Sequence, residues 1–188
     1  MPTYYRSHCV TFRKTKELFG GLSNMCSGYP LKVNGISIRT SEALYQLCRF
    51  PSHPEIQQKV IDQKSPMAAK MVTKPYRSSY NRKDWDLVRV DVMRWALQIK
   101  LLQHYDNFGA LLKSTGTKPI VEISHKDDFW GTKVDRTNTN FLVGDNVLGK
   151  LLMELRDTYV HKENTLTEVI PLDVPHFMLL GQCIERVS

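Results

Sequence analysis

The sequence predicts an α+β fold, helix-dominated, in a single domain with a small sheet and a strand-rich C-terminal extension. Three observations carry that expectation. From about Asp84 to His104 apolar residues recur at three- and four-residue steps, a spacing that a helix gathers into one stripe. LKVNGISIR, residues 31–39, alternates apolar and polar positions around Asn34-Gly35, the strongest short hairpin signal. Beyond Asn164, EVIPLDVPHFMLLGQCIERV changes to short apolar runs separated by two prolines, a strand-like pattern. A domain over residues 1–164, with 165–188 as an extension packed on it, is long enough to bury a core without disulfides or metal.

The elements follow in order. Residues 8–12 read as a strand, and FGGLSNMCSGYP as a glycine-containing loop before the hairpin. Thr40-Ser41 caps a helix over SEALYQLCRF, with Leu44, Leu47 and Cys48 on one face. A second helix covers EIQQKVIDQ. Ser65-Pro66 opens a third, SPMAAKM, as cap and first-turn proline. The longest helix places Trp85, Val88, Val92, Trp95, Ala96, Ile99 and Leu102 inward. A short helix follows over Phe108–Lys113, and Pro119 starts the strand IVEIS. The last major helix begins after Gly144 and turns Leu148, Leu151, Leu152 and Leu155 inward.

Composition narrows the function classes. The N-terminus MPTYYRSHC is polar, and no apolar run approaches the roughly 20 residues that cross a bilayer. A reduced, cytoplasmic protein with no membrane partner is expected. The cysteines Cys9, Cys26, Cys48 and Cys183 form no CxxC pair and the histidines have no ligand spacing, so neither a metal nor a cofactor is expected. No G-x-S-x-G elbow, HExxH or Rossmann fingerprint occurs. The net charge of +7 favours anionic partners: nucleic acid, phosphorylated metabolites or acidic lipid.

Several polar residues admit both a chemical and a packing explanation. In IVEISHKDDFWG, strand alternation puts Glu122 on the face of Ile120, half-buried, while Asp127 and Asp128 sit at the strand's end beside the flat wall of Trp130. Such acids can stabilise a cationic sugar transition state, or can cap backbone amides while the indole plugs the core. Glu42 lies in the first turn of its helix, where the dipole alone accounts for a carboxylate. Lys100, at the edge of an apolar face, either snorkels or becomes a nucleophilic amine; Lys70 is also helical. FGGLSN offers small residues and free amides for a ligand. GDNVLG at a helix start offers amides to a phosphate, unless Asn146 is simply an N-cap.

The ordered series FGGLSNM, TSEALYQLCRF, SPMAAK, DWDLVRVDVMRWALQIKLLQH, IVEISHKDDFWG and GDNVLGKLLMELR resembles the NADAR (NAD and ADP-ribose related) family, the YbiA-like N-glycosidases. The resemblance covers roughly Phe19 to Arg156. It implies an α+β hydrolase that cleaves N-glycosidic bonds of ribosyl compounds. The substrate it implies is an ADP-ribosylated nucleobase or nucleic acid, with guanine of DNA or RNA leading and an ADP-ribosyltransferase toxin as functional counterpart. Phosphorylated riboflavin-biosynthesis intermediates are the alternative substrate, and a non-catalytic ADP-ribose-binding module the alternative class. Positions matching the family's polar set are Asn24, Glu42, Lys70, Lys100, Glu122, Asp127, Trp130 and Asn146, with Asp128 matching less well. The implied catalytic group is Lys100, Glu42, Glu122, Asp127 and Lys70. The implied substrate-binding group is Asn24, Gly21, Ser23, Arg49, Trp130, Gly131 and Asn146. Arg49 stands where the family often has lysine; a guanidinium is a poor nucleophile, so its expected task is to clamp phosphate or carboxylate. The chain also departs after Trp130-Gly131, where WGTKVDRTNTNFLVGDN is expected to form a longer polar loop bordering the pocket.

Overall fold

The computed structural model describes residues 1–161 and 166–188. Its elements are β1 (Thr3–Tyr5), β2 (Val10–Phe12), β3 (Leu31–Val33), β4 (Ile36–Ile38), α1 (Ser41–Leu47), α2 (Pro54–Ile61), α3 (Pro66–Val72), α4 (Arg77–Tyr80) and α5 (Trp85–Gln103). Then come α6 (Ala110–Ser114), β5 (Ile120–Glu122), β6 (Lys133–Val134), β7 (Phe141–Val143), α7 (Val147–Leu155), β8 (Met178–Leu179) and β9 (Gln182–Cys183). This is the α+β, helix-dominated class expected. The chain forms two compact units, Met1–Ser23 with Tyr105–Thr165 and Asn24–His104 with Leu166–Ser188. The expected boundary between residues 164 and 165 lies outside the described residues. Among the described residues no helix is long and apolar enough to cross a membrane.

In the first unit β2 and β5 pair in parallel, Val10 beside Ile120 and Phe12 beside Glu122. Ile120 and Val121, on opposite faces, are both fully buried, and Glu122 is half-buried, as expected. Helix α7 packs on β5 so closely that a Cβ on Gly149 would stand 2.2 Å from the carbonyl oxygen of Ile120. Only a residue without a side chain permits that approach. The expected strand over 8–12 begins later, at Val10, because residues 6–8 form a 3₁₀ turn. The expected helix over Phe108–Lys113 starts as a π-type turn, Tyr105–Gly109, and becomes α-helical only at Ala110.

The stretch expected as a long polar loop is instead largely a hairpin. β7 pairs with β1 on one side and β6 on the other, both antiparallel. Asp135 builds the turn, its Oδ1 accepting from the amides of Thr137 at 2.7 Å and Asn138 at 2.9 Å. Strands of two and three residues are too short to show alternation, which hid this sheet from the sequence.

The second unit holds the helices α1–α5. Asn34 and Gly35 have φ of 49° and 76°, the paired positive values that a two-residue β3–β4 turn demands. Thr40 caps α1 through a 3.1 Å bond from the Ala43 amide, and Ser65 caps α3 through an equal bond from Ala68. Every residue of α1 is buried. In α5 the expected stripe is buried except at Leu102, which is half-buried; Leu101 is buried in its place, with Met93, Leu97 and Lys100. α5 is covered on more than one side, so a single apolar stripe under-describes it.

The tail belongs to this unit and ends in the β8–β9 hairpin, with Val169 bridging Val187. Gln57, fully buried in α2, ties it down. Its Nε2 donates to the carbonyls of Leu47 (3.1 Å) and Met178 (3.0 Å), and its Oε1 accepts from the Leu180 amide at 2.7 Å. Trp95 donates to the Ile170 carbonyl at 3.0 Å and meets Phe177 edge-on.

Candidate active site

The second unit builds its chemistry around Glu42. The backbone carbonyl of Asn24 accepts from the Glu42 amide at 2.9 Å and from the Ser41 hydroxyl at 3.3 Å, so residue 24 is docked on the start of α1. From there Asn24 Nδ2 donates to Glu42 Oε2 at 2.5 Å, and Gln46 Nε2, one turn along α1, donates to Glu42 Oε1 at 2.8 Å. Glu42 is 3% exposed, and burial holds its pKa above the ordinary carboxylate range. Lys70, Gln46, Arg49 and Arg77 pull the other way by charge or hydrogen bonding. A first-turn dipole partner would be solvated; this carboxylate is enclosed and surrounded by cations.

Those cations are held in place. Arg77 donates to the Lys70 carbonyl at 2.9 Å and to Thr73 Oγ1 at 2.8 Å, and Thr73 in turn donates to Gln46 Oε1 at 3.1 Å. The Arg49 guanidinium lies over the Trp85 ring, 4.5 Å from its centroid, and 5.6 Å from that of Tyr45. Burial lowers its pKa, and its Nε is among the buried polar atoms without a hydrogen-bond partner. Lys70 itself is half-buried at the end of α3.

Lys100 is 1% exposed, deep in α5 rather than snorkelling. Its Nζ sits 4.4 Å from the centroid of the Tyr29 ring. Desolvation drives its pKa from 10.5 to about 7, against the charge of Cys26, which favours the ammonium. The segment from Asn24 to Pro30 runs along α5: Asn24 Nδ2 approaches Met93 Sδ at 3.9 Å, and the Pro30 carbonyl lies 2.7 Å from His104 Nε2. Met93 and Lys100, seven residues apart, share a face and are separated by about 10 Å of helix. Glu42 and Lys100 are thus served by one strip of chain in one unit.

The first unit presents a different picture. Asp127 Oδ1 accepts from the amides of Phe129 (3.1 Å) and Trp130 (2.9 Å), a capping arrangement. Asp128 pairs with Lys133 at 2.7 Å, which lowers its pKa. Trp130 is half-buried, edge-on to Phe129. The Glu122 carboxyl lies against Gly131: a Cβ there would meet Oε2 at 3.2 Å. Asn146 is left-handed, φ 52°, and makes no side-chain cap bond. Its Nδ2 donates to the Ile120 carbonyl at 2.9 Å and its Oδ1 accepts from the Glu122 amide at 3.1 Å. It fastens α7 to β5.

Two sequence expectations need correction here. The amides at the start of α7 are not open to a phosphate. Those of Asp145, Asn146, Val147 and Leu148 donate to the carbonyls of Asp128, Gly131, Phe129 and Trp130. Three of the FGGLSN amides are also engaged: those of Gly20, Leu22 and Ser23 donate to the carbonyls of Glu17, Phe19 and Gly20, around a 3₁₀ turn over Gly20–Leu22 that includes Gly21. In both places the chain closes on its own donors, as buried backbone requires.

The sequence missed Gln46, Arg77 and Tyr29. Gln46 was open to inference, lying four residues after Glu42 on a helix. Arg77 and Tyr29 gave no local signal.

The NADAR domain family model matches residues 11–159. The chain belongs to the NADAR domain family. N-glycosidase YbiA of Shigella boydii is 36% identical over 148 residues, which are 79% of this chain and 86% of that protein. Riboflavin biosynthesis protein VVA0006 of Vibrio vulnificus is 33% identical over 150 residues, but those cover only 38% of it. The solution structure of Escherichia coli YbiA superposes with a TM-score of 0.66 at 32% identity, covering 85% of this chain and 92% of that one. This NADAR domain is accordingly a hydrolase of the N-glycosidase type. The tail, residues 166–188, falls outside the family match.

Proposed function

We propose that this NADAR domain removes ADP-ribose from a nucleobase, guanine of nucleic acid first, by hydrolysing the bond between ribose C1 and the base nitrogen. The observation that carries the reading is that one unit holds both an enclosed carboxylate ringed by cations and a buried amine whose pKa burial lowers to about 7. Departure of the base leaves positive charge on C1. The Glu42 carboxylate stabilises that charge or activates water, and Asn24 and Gln46 hold its oxygens in place. Neutral Lys100 attacks C1 as the C–N bond breaks; the base leaves with the bonding pair and is protonated. The sugar ring opens to an imine, which water resolves to free ADP-ribose and lysine. Arg49, Lys70 and Arg77 supply positive charge for the diphosphate.

Glu122 is the second candidate acid of this reading, with Asp127 and Trp130 beside it in sequence. Asp127 has one oxygen engaged in capping. A second substrate is favoured by the relative named for riboflavin biosynthesis: a phosphorylated pyrimidine or pyrazine amine whose ribose bond is the same type. Product chromatography decides between them. ADP-ribosylated guanosine and the phosphorylated amine are incubated separately with the enzyme. Release of ADP-ribose and guanosine supports the first reading; turnover of the amine alone overturns it.

A further inference from the structure

Residues 70–83, KMVTKPYRSSYNRK, contain Lys70, Lys74, Arg77, Arg82 and Lys83 and no acidic residue. The stretch joins the end of α3 to α5, and its two sides differ in what they touch. Inward, Arg77 reaches Thr73, the Lys70 carbonyl and Gln46, the residue that holds Glu42. Arg82 is spent on Asp84 and on the tail, at the Pro175 carbonyl. Outward, Lys74 and Lys83 are exposed, and so are Ser78, Ser79 and Tyr80.

Aromatic rings line the same outer side. Tyr80 is 46% exposed and meets Tyr76 at 6.1 Å between centroids, edge to face. His53, at the start of α2, packs edge-on against Tyr80 at 4.9 Å. Exposed Lys59 stands over the Tyr76 ring at 4.8 Å and donates to its hydroxyl. Tyr80, exposed, and Tyr76, half-buried, thus sit at one edge between exposed lysines. Flat faces on which bases stack, with cations spaced along a backbone, are what single-stranded nucleic acid requires. A free nucleotide or a phosphorylated amine needs none of it.

We propose that Tyr76, Tyr80, Lys74 and Lys83, with His53 and Lys59, form a docking surface for a single strand of DNA or RNA. The strand's modified nucleotide enters beside Glu42 while its neighbours stack outside; this clause rests on the proposed function, but the surface itself does not. Phosphates track Lys74 and Lys83, and one or two unpaired bases lie on the tyrosines. Duplex ends, whose bases are already stacked, gain less.

Fluorescence anisotropy with a labelled, unmodified single-stranded oligothymidine and with a matched duplex tests this on the full chain. Wild type binds the single strand more tightly, with affinity falling as salt rises. Tyr76→Ala with Tyr80→Ala lowers that affinity by roughly tenfold or more, and Lys74→Ala with Lys83→Ala flattens the salt dependence. Both double variants keep wild-type turnover of the small substrate that wild type hydrolyses. No binding at low salt, equal binding by the tyrosine variant, or binding to anionic vesicles but not to oligonucleotide overturns the surface. Single-strand binding by an enzyme that turns over only the phosphorylated amine leaves the surface standing and sinks the ADP-ribosyl reading. Turnover of ADP-ribosylated guanosine without oligonucleotide binding does the reverse.

Discussion

Asn24 donates from Nδ2 to Glu42 Oε2 at 2.5 Å, joining two residues eighteen apart in the chain. The same asparagine accepts the Glu42 amide on its own carbonyl, so it fixes both ends of one glutamate. Replacing Asn24 with alanine removes the side-chain bond and leaves the backbone bond. Turnover should fall by about 10-fold to 100-fold through misplacement of the carboxylate, roughly 1.4 to 2.7 kcal/mol of barrier, with the KM for substrate changing less. Steady-state kinetics of Asn24→Ala and Asn24→Asp check it; unchanged kcat in both would count against a positioning role.

Glu42→Gln keeps shape and removes charge. Hydrolysis should drop by roughly 10²-fold or more. The pH dependence of stability should also change. Burial raises the folded pKa of Glu42 above its unfolded value, so the folded form binds more protons between the two values. Stability therefore falls as pH rises through that window, and the neutral glutamine escapes this loss. Thermal melts of both proteins at acid and neutral pH should show the variant's melting temperature changing less across that window than the wild type's.

Lys100 makes the opposite linkage. Its folded pKa of about 7 lies below the 10.5 of an unburied lysine, so between these values the unfolded chain holds more protons. Stability then rises with pH from about 7 to 10.5. Lys100→Met should remove that slope, raise the melting temperature at pH 7 and abolish turnover. Wild-type kcat should climb through pH 7 as the amine loses its proton. Borohydride added during turnover should reduce the imine and attach sugar mass to Lys100; attachment elsewhere, or none with full activity in Lys100→Met, sinks the imine route.

Gly149→Ala has no room: its Cβ would fall 2.2 Å from the Ile120 oxygen and 2.5 Å from the Asn146 amide. A backbone oxygen cannot rotate away, so α7 must lift from β5, at a cost of about 3 kcal/mol or more. Chemical denaturation of Gly149→Ala against wild type measures it, and a loss under about 1 kcal/mol would mean the helix shifts freely.

Gln57→Ala should release the tail. It strips partners from the Leu47 and Met178 carbonyls and from the Leu180 amide. The loss should be roughly 2 to 4 kcal/mol, and amide exchange should speed up at residues 178–183 before it does in α5. Uniform acceleration across the second unit would show that the tail does not open separately.

The sequence by itself determined what is local and periodic. The hairpin turn at Asn34-Gly35, the caps at Thr40 and Ser65, and the length of α5 follow from backbone preference and 3.6-residue spacing, and the ordered motifs carried the family. Half-burial of Glu122 was equally readable from alternation. Tertiary structure alone decided how polar groups were used. Asn146 looks like an N-cap in sequence, yet its side chain bridges β5, because its partners lie more than twenty residues away. The α7 amides look free for phosphate until the loop carbonyls of residues 128–131 fold over them. Lys100 reads as a lysine at the edge of a stripe; only Tyr29 and the strip around it, some seventy positions distant, take it out of water. Propensity acts within a few residues, whereas desolvation and hydrogen bonding depend on which distant segments arrive, and those two forces set the chemistry of a side chain.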